Sequence, residues 1–352
     1  MQISGGNGFF KYAFSGGYTK HNGTIIGNSF ERYSIRSNAE FNLLRRLKIG
    51  ENFGLSYTNL RPIESGLFSS ALRIPPYLPV KDETNLGGYS KATSIDDLND
   101  AANPVAQVYL ANKVNRSFRL LGNIYANFEV LNGLSYKVNF GLDYTHGYNF
   151  SFTKENENSN LKSPSILYES YSWGISPTVE QTLEYELSNE KRQLSIIAGN
   201  TLPVKSSGKY LAVEGRGFSN EEIQVQQVAD YTRIDGNATG SWQTVLISYF
   251  GRINYAYKDR YLLTANFRRD ASPRFSPQNR WGNFPSFSAG WKINQENFFR
   301  NWYSKVSTLK VRIGWGKSGS DLIGDYAYQS SLHASNINYI LDPLKKLLKV
   351  LR

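Results

Sequence analysis

Long two-faced segments, joined alternately by short and long connections, constrain this chain more than any other sequence feature. Apolar and polar residues alternate without a break from Leu134 to Tyr144, which is the period of a strand with two unlike faces. The same alternation predicts eleven strands between Phe10 and Trp315. Short turns are predicted near residues 45–48, 132–133, 189–191 and 258–260, and a long connection follows each of them one strand later, near residues 60–116, 146–174, 205–242 and 270–283.

This order of connections places all short turns at one end of the predicted sheet and all long loops at the other. Sandwiches and propellers do not impose that rule, whereas outer-membrane barrels do. The predicted strands, of about 10–14 residues, exceed the ~5–6 of soluble sheets and suit the ~9–11 tilted residues that cross a bilayer. No apolar run approaches the ~20 residues of a membrane helix. We therefore predict an all-β fold, an antiparallel transmembrane β-barrel.

Composition argues against several other classes of protein. The net charge is +11, but Lys and Arg are scattered rather than gathered in one block, so we expect no nucleic-acid partner. Cys is absent, which removes disulfides and thiol nucleophiles, and the three His residues have no metal spacing. The glycines from Gly314 to Gly319 match G-x-G-x-x-G without a following helix pattern. We expect neither an enzyme nor a cofactor.

The candidate site residues lie at the alternate positions of the strands that are polar, which we call the polar parity. In a barrel these side chains point into the lumen, where polar rows belong whether or not they touch a ligand. The opposite parity, which includes Tyr255 and Phe267, is expected to meet lipid. The lumen-facing candidates for substrate contact are Tyr125, Glu129, Lys137, Asp143, Arg252 and Arg268.

One continuous stretch, SYFGRINYAYKDRYLLTANFRRDASPRFSPQNRWGNFPSFSAGWKINQENFF at residues 248–299, resembles the SusC/RagA-like TonB-dependent transporters of Bacteroidetes-type outer membranes. LKVRIGWGKSG at 309–319, ALRIPPYLPV at 71–80 and NPVAQ at 103–107 are also similar to that family. The resemblance implies a barrel of about 22 strands that imports oligosaccharides or peptides with energy from the TonB complex. It also implies an outer-membrane lipid environment and a SusD-like lipoprotein lid at the long-loop end.

The departures from that family define our expectations for the ends of the chain. Eleven strands are about half of such a barrel, so we interpret residues 1–340 as a partial barrel and place the family's plug, which contacts TonB, outside this sequence. We expect a fragment of this kind not to transport by itself, because its unpaired edges would be costly in lipid. Phe298, Trp302 and Val306 lie four apart and predict a short amphipathic helix.

The last residues, 341–352, read LDPLKKLLKVLR and do not resemble the family. Their leucines predict a basic amphipathic helix, which would come from a frame-shifted reading frame or would lie on a membrane surface. The leucines concerned are Leu344, Leu347, Leu348 and Leu351.

A second function class stays open on sequence alone. A soluble or surface β-sheet protein that binds glycans through exposed aromatic residues would show the same strand alternation. In that protein the apolar parity of Leu134 to Leu142 would be buried against other parts of the protein rather than in lipid.

Overall fold

The computed structural model describes residues 1–91, 102–158, 161–234, 240–302, 306–324, 327–329, 334–340 and 347–351. In chain order the strands are β1 (Gln2–Gly6), β2 (Phe10–Asn22), β3 (Ser29–Leu44), β4 (Leu47–Arg61), β5 (Ala111–Leu131), β6 (Leu134–Thr153), β7 (Asn156–Asn158), β8 (Leu161–Ser163), β9 (Ile166–Ser188), β10 (Arg192–Thr201), β11 (Lys205–Phe218), β12 (Ala229–Ile234), β13 (Gly240–Val245), β14 (Ile247–Tyr257), β15 (Tyr261–Ala271), β16 (Trp281–Lys292), β17 (Lys310–Gly316), β18 (Ala334–Ile340) and β19 (Leu347–Leu351). Two short helices are α1 (Leu67–Arg73) and α2 (Pro104–Tyr109).

Contacts divide the chain into two units. The first comprises residues 1–130, 136–180 and 204–243, and the second comprises residues 131–135, 181–203 and 244–352. In the first unit the strand order is β1-β2-β3-β4-β5-β6-β9, and the start of β9 also pairs with β11. In the second unit the order is β10-β14-β15-β16-β17. Among the described residues β1 pairs only with β2, β17 only with β16, and β12 and β13 each only with β11, so each of these four strands has one unpaired edge.

The eleven predicted strands are confirmed, and consecutive ones are sheet neighbours. They correspond to β2, β3, β4, β5, β6, β9, β10, β14, β15, β16 and β17. The short turns are confirmed as well. Lys258 and Asp259 have φ of 50° and 53°, the pair of left-handed residues that a two-residue hairpin turn needs, and Gly133 in the β5–β6 turn has φ of 78°.

Two predicted loops were wrong in part, because strands continue through them. Residues 146–174 hold the end of β6 and the beginning of β9, and residues 205–242 hold β11, β12 and the start of β13. Here β11 pairs with β9 from Ile175 to Ile166, so the backbone groups of this region are satisfied by strands rather than by a loop. The strands in these two regions were not predicted because polar and apolar residues do not alternate regularly there.

The short helix predicted from Phe298, Trp302 and Val306 is confirmed in part, as a 3₁₀-helix rather than an α-helix, and residues 303–305 lie outside the described residues. The chain forms two 3₁₀ segments, Ile293–Gln295 and Asn297–Trp302, because backbone bonds reach back three residues, as from Phe299 N–H to the Glu296 carbonyl at 3.1 Å. No helix in the described part of the chain is long and apolar enough to cross a membrane.

The basic helix predicted at the end of the chain is contradicted where the structure describes it. Leu347–Leu351 forms β19, which pairs with β18 through Ile340 and Leu347, and Leu344 lies outside the described residues. A short apolar run fits a strand as well as a helix, and the presence of a pairing strand decides between them.

The two faces of the sheet differ across β14, β15, β16 and β17. Cross-strand register places Ile253, Ala265, Phe287 and Trp315 in one row and Asn254, Thr264, Ser288 and Gly314 in the adjacent row on the other face. Phe287 is 56% exposed on the apolar face. An apolar face left uncovered by protein is what a lipid-facing strand requires.

The link after β16 is held at the short-turn end of the sheet by Glu296. Its carboxylate accepts hydrogen bonds from the Tyr261 hydroxyl at 2.7 Å, the Trp291 indole at 3.1 Å and the Arg260 guanidinium at 2.9 Å. These donors, the Tyr261 hydroxyl first, hold the pKa of Glu296 below its ordinary value. The ends of β15 and β16 are thereby tied to the following segment.

Phe287→Arg is expected to lower the stability of the protein in lipid vesicles, since an arginine near the bilayer midplane costs about 2–4 kcal/mol. The matched control is Ser288→Arg, one residue away on the polar face, which should leave the urea unfolding midpoint nearly unchanged. Tryptophan fluorescence during urea titration in large unilamellar vesicles measures both. Equal losses in the two variants would contradict the lipid-facing assignment.

Glu296→Gln is expected to lower the thermal midpoint at neutral pH. A depressed folded-state pKa means that the carboxylate adds stability above the ordinary pKa of glutamate, and that this contribution disappears as the pH falls through the lower folded-state value. The difference from wild type should therefore be largest at neutral pH and shrink as the pH falls below the ordinary pKa of glutamate. Glu190→Gln, at the exposed β9–β10 turn, is the control, and a difference that persists in acid would show another cause.

Candidate functional site

The polar faces of β3, β4, β5, β6 and β9 line an open cavity of about 790 Å³ in the first unit, which we call the polar basin. A cavity of this size is within the range of small-molecule binding sites. Its polar side chains come from Arg32, Ser34, Arg36, Asn38, Asn52, Ser56, Arg119, Asn123, Asn139, Asp143, Ser176 and Thr178.

A row of asparagines crosses the floor of the basin. Asn52 Nδ2 donates to Asn123 Oδ1 at 3.2 Å, and Asn123 Nδ2 donates to Asn139 Oδ1 at 2.6 Å, which links β4, β5 and β6. Asn38 on β3 is the register partner of Asn52. Amides in a row can present both donors and acceptors to a neutral polar ligand.

Arg119 and Asp143 form an ion pair toward the long-loop side of the asparagine row. The guanidinium donates from Nε at 2.9 Å and from a terminal nitrogen at 2.6 Å to the two carboxylate oxygens, so the pair is bidentate. Both side chains keep substantial exposure, 50% and 32%, so the pair adds little to stability. It fixes the direction of two charged groups that remain open to the basin.

Tyr125 lies on the other side of the asparagine row and connects β5 to β3. Its hydroxyl donates to Glu40 Oε2 at 2.9 Å, and the Lys137 ammonium lies 4.3 Å from the ring centroid. The ring crosses Gly50 on the intervening strand, where a Cβ would overlap it. A glycine at this register position is therefore required for Tyr125 to reach Glu40.

The remaining candidates are not brought into this cluster. Glu129 lies near the short turn, where its backbone N–H donates to the Arg46 carbonyl at 2.8 Å. In the second unit Arg252 Nε donates to Asn254 at 3.2 Å. Arg268 pairs with Asp270 at 2.8 Å and also donates to Ser248 Oγ at 3.0 Å.

The six candidates thus lie on the polar parity as predicted, and three of them, Tyr125, Lys137 and Asp143, belong to the wall at or beside the basin. Their contact with substrate stays a prediction. Sequence reasoning missed Glu40 and Arg119 as their partners. Strand alternation assigns a residue to a face, but the pairing register, which it does not supply, decides which residues meet.

The charges around the basin are predominantly positive. Arg32, Arg36 and Arg119 line it together with a single carboxylate, that of Asp143. In a recess with low-dielectric walls such an excess attracts anions and polar groups rich in lone pairs. The basin therefore favours hydrophilic ligands that accept hydrogen bonds.

No protein-family model matches this chain. Among curated proteins it is similar to TonB-dependent receptor SusC of Bacteroides thetaiotaomicron, with 29% identity over 368 residues that cover 97% of this chain and 35% of SusC. It is also similar to TonB-dependent receptor P3 of Formosa agariphila, with 28% identity over 353 residues, 93% of this chain and 33% of that protein. The chain spans about a third of the length of these relatives.

Solved structures show the same fold. The RagAB peptide transporter matches with a TM-score of 0.75 and 21% identity over 100% of this chain and 39% of that one. The RagAB peptide importer in its open-open state matches with a TM-score of 0.72, 20% identity, 99% of this chain and 38% of that one. These findings confirm the resemblance to the SusC/RagA-like TonB-dependent transporters and the fold as a partial antiparallel transmembrane β-barrel.

Proposed function

We propose that this chain forms part of the wall of a TonB-dependent outer-membrane importer, in which the polar face lines the path of a hydrophilic substrate. The observation that carries the proposal is the polar basin of about 790 Å³ on a sheet whose opposite face is apolar and open. A lipid-facing wall with a hydrophilic lumen has this distribution of side chains.

The substrate class that fits the basin is an oligosaccharide or a peptide. Asparagine amides, serine hydroxyls and the Arg119–Asp143 pair can hydrogen-bond to the hydroxyls of a sugar and to the amides of a peptide. The similarity to SusC and to the RagAB peptide transporter supports both possibilities. The basin holds and orients its ligand without changing it, so the proposed function is non-enzymatic.

The proposed location is the outer membrane of a Gram-negative, Bacteroidetes-type bacterium. The outer-membrane lipid would contact the apolar face, and a SusD-like lipoprotein lid would cover the end that carries the long connections. Energy would come from the TonB complex through a plug. These assignments rest on the similarity to SusC and on the orientation of the short and long connections.

Narrowing the basin should slow import. Ser34→Trp places a large side chain on the basin wall, whereas Ile35→Trp, the matched control, changes the adjacent residue, which is 60% exposed on the apolar face. Growth of the gene-deletion strain on oligosaccharides and peptides as sole carbon sources identifies the imported class. Complementation with the whole importer gene carrying Ser34→Trp should then give several-fold slower growth than complementation with the same gene carrying Ile35→Trp. If deletion of the gene affects growth on none of these substrates, the proposed function is wrong.

Dependence on detergent separates the importer from the alternative of a soluble or surface glycan-binding protein. An apolar face with side chains such as Ile313, which is 71% exposed, should aggregate in plain buffer and remain dispersed in detergent micelles. Size-exclusion chromatography with light scattering measures this directly. A monodisperse protein in buffer without detergent would favour the alternative.

A further inference from the structure

Trp242 on β13 has an unusual position on the polar face of the first unit. β13 pairs with β11, and the indole lies over two glycines, Gly208 on β11 and Gly174 on β9, which are direct register partners. A Cβ at Gly208 would lie 2.5 Å from the indole Nε1, and one at Gly174 would lie 3.4 Å from Cζ2. The backbone of this glycine pair thus supports one side of the ring.

The ring of Trp242 is partly open to solvent. Trp242 remains 36% exposed, although a tryptophan that served only to fill space would be covered on both faces. Glycines in strand interiors weaken a sheet and often mark the close approach of another group. A glycine pair under a partly exposed indole thus leaves part of an aromatic face open to a ligand.

Trp242 and the glycine pair beneath it lie directly beyond the polar basin. Thr145 follows the basin residue Asp143 by one same-face step of β6, and Gly174 precedes the basin residue Ser176 by one same-face step of β9, roughly 7 Å along each strand. A Cβ at Gly174 would lie 3.2 Å from Thr145 Oγ1, so the two strands are adjacent here. Because the short turns lie at the opposite end, Trp242 is on the long-loop side of the basin.

The groups around the indole on this face are neutral hydroxyls and phenols. Tyr210 follows Gly208 by one same-face step of β11, its register partner is Ser172, and Thr145 Oγ1 lies beside Gly174. The first charged residue of this face of β11 is Glu214, roughly 20 Å along the strand from Gly208, and it pairs with Arg216 at 2.7 Å. The surroundings of Trp242 thus offer hydrogen bonds without a net charge.

This combination fits one class of ligand. A pyranose ring presents a face of weakly positive C–H groups, which is attracted to the negative face of an aromatic ring, and its hydroxyls radiate in the ring plane toward donors and acceptors. A peptide offers no flat apolar face of that width unless it carries an aromatic side chain. We infer that Trp242 is a saccharide-stacking subsite at the long-loop rim of the basin, an inference that rests on the proposed import function.

The subsite predicts graded effects of substitution. Trp242→Leu keeps apolar volume but removes the aromatic face, and should weaken saccharide binding about tenfold, the scale of one stacking interaction. Trp242→Tyr restores an aromatic face and should recover most of the affinity. The control is Trp315→Ala, which removes a tryptophan that is 55% exposed on the apolar face and should not change binding.

Isothermal titration calorimetry of the full-length protein in detergent micelles tests this inference. The probes are maltohexaose, cellohexaose, laminarihexaose and hexagalacturonate, with a seven-residue Ala/Ser/Thr peptide as the competing class. The urea midpoint of each variant shows whether it is folded. The expected result is binding of at least one saccharide that Trp242→Leu weakens and Trp242→Tyr restores.

Each other result overturns the inference. The inference is wrong if Trp242→Leu leaves saccharide binding unchanged. It is also wrong if the wild-type protein binds none of the four saccharides. Binding of the peptide alone also refutes the subsite while the import function stands. The import function itself fails only in the separate growth test, when deletion of the gene affects neither saccharide nor peptide use.

Discussion

Strand-to-strand hydrogen bonding between two-faced strands is the constraint on which the rest of this structure depends. In lipid every backbone N–H and C=O must find a partner within the protein, so the strands have to remain in register over their whole length. A slip of one residue would exchange the apolar and polar faces and place Arg252 and Arg268 on the face that Tyr255 and Phe267 occupy. The burial pattern therefore selects the register, and the register in turn determines which polar groups meet in the basin.

Large rings lying over glycines of neighbouring strands recur on both faces of the sheet. Tyr125 covers Gly50 and Trp242 covers Gly208 on the polar face, and Phe53 covers Gly122 on the apolar face. The missing Cβ lets the ring lie flat, so that it covers backbone that a glycine would otherwise leave exposed, and a hydroxyl such as that of Tyr125 can reach the second strand along. Glycine positions thus control how far an aromatic side chain extends across the sheet.

The alternation in the sequence was sufficient to predict the eleven main strands, their turns and the face of each candidate residue. It could not predict β11, because neither alternate set of residues in the sequence SSGKYLAVEGRGF is uniformly apolar. The set that includes Leu211, for example, also contains Lys209 and two glycines. The alternation could not predict the partnership of Tyr125 with Glu40 either, since these residues are separated by 85 positions and meet only through the register of three strands. Local patterns identify faces, whereas contacts between distant residues depend on register.

Three strands of the first unit are longer than a bilayer crossing requires, and the polar face continues along their whole length. β5, β6 and β9 have 21, 20 and 23 residues, about twice the ~9–11 that a membrane crossing needs. At the long-loop end the apolar face is covered by protein, because Phe152 and Leu167 pack against Phe218 at the end of β11, with the two phenylalanine rings 5.2 Å apart. Register pairs with β9 from Ile175 to Ile166 hold the rest of β11, and its polar face carries Gly208 beneath Trp242. The pairing of β11 with β9, closed at its far end by this apolar cluster, thus positions the proposed saccharide subsite.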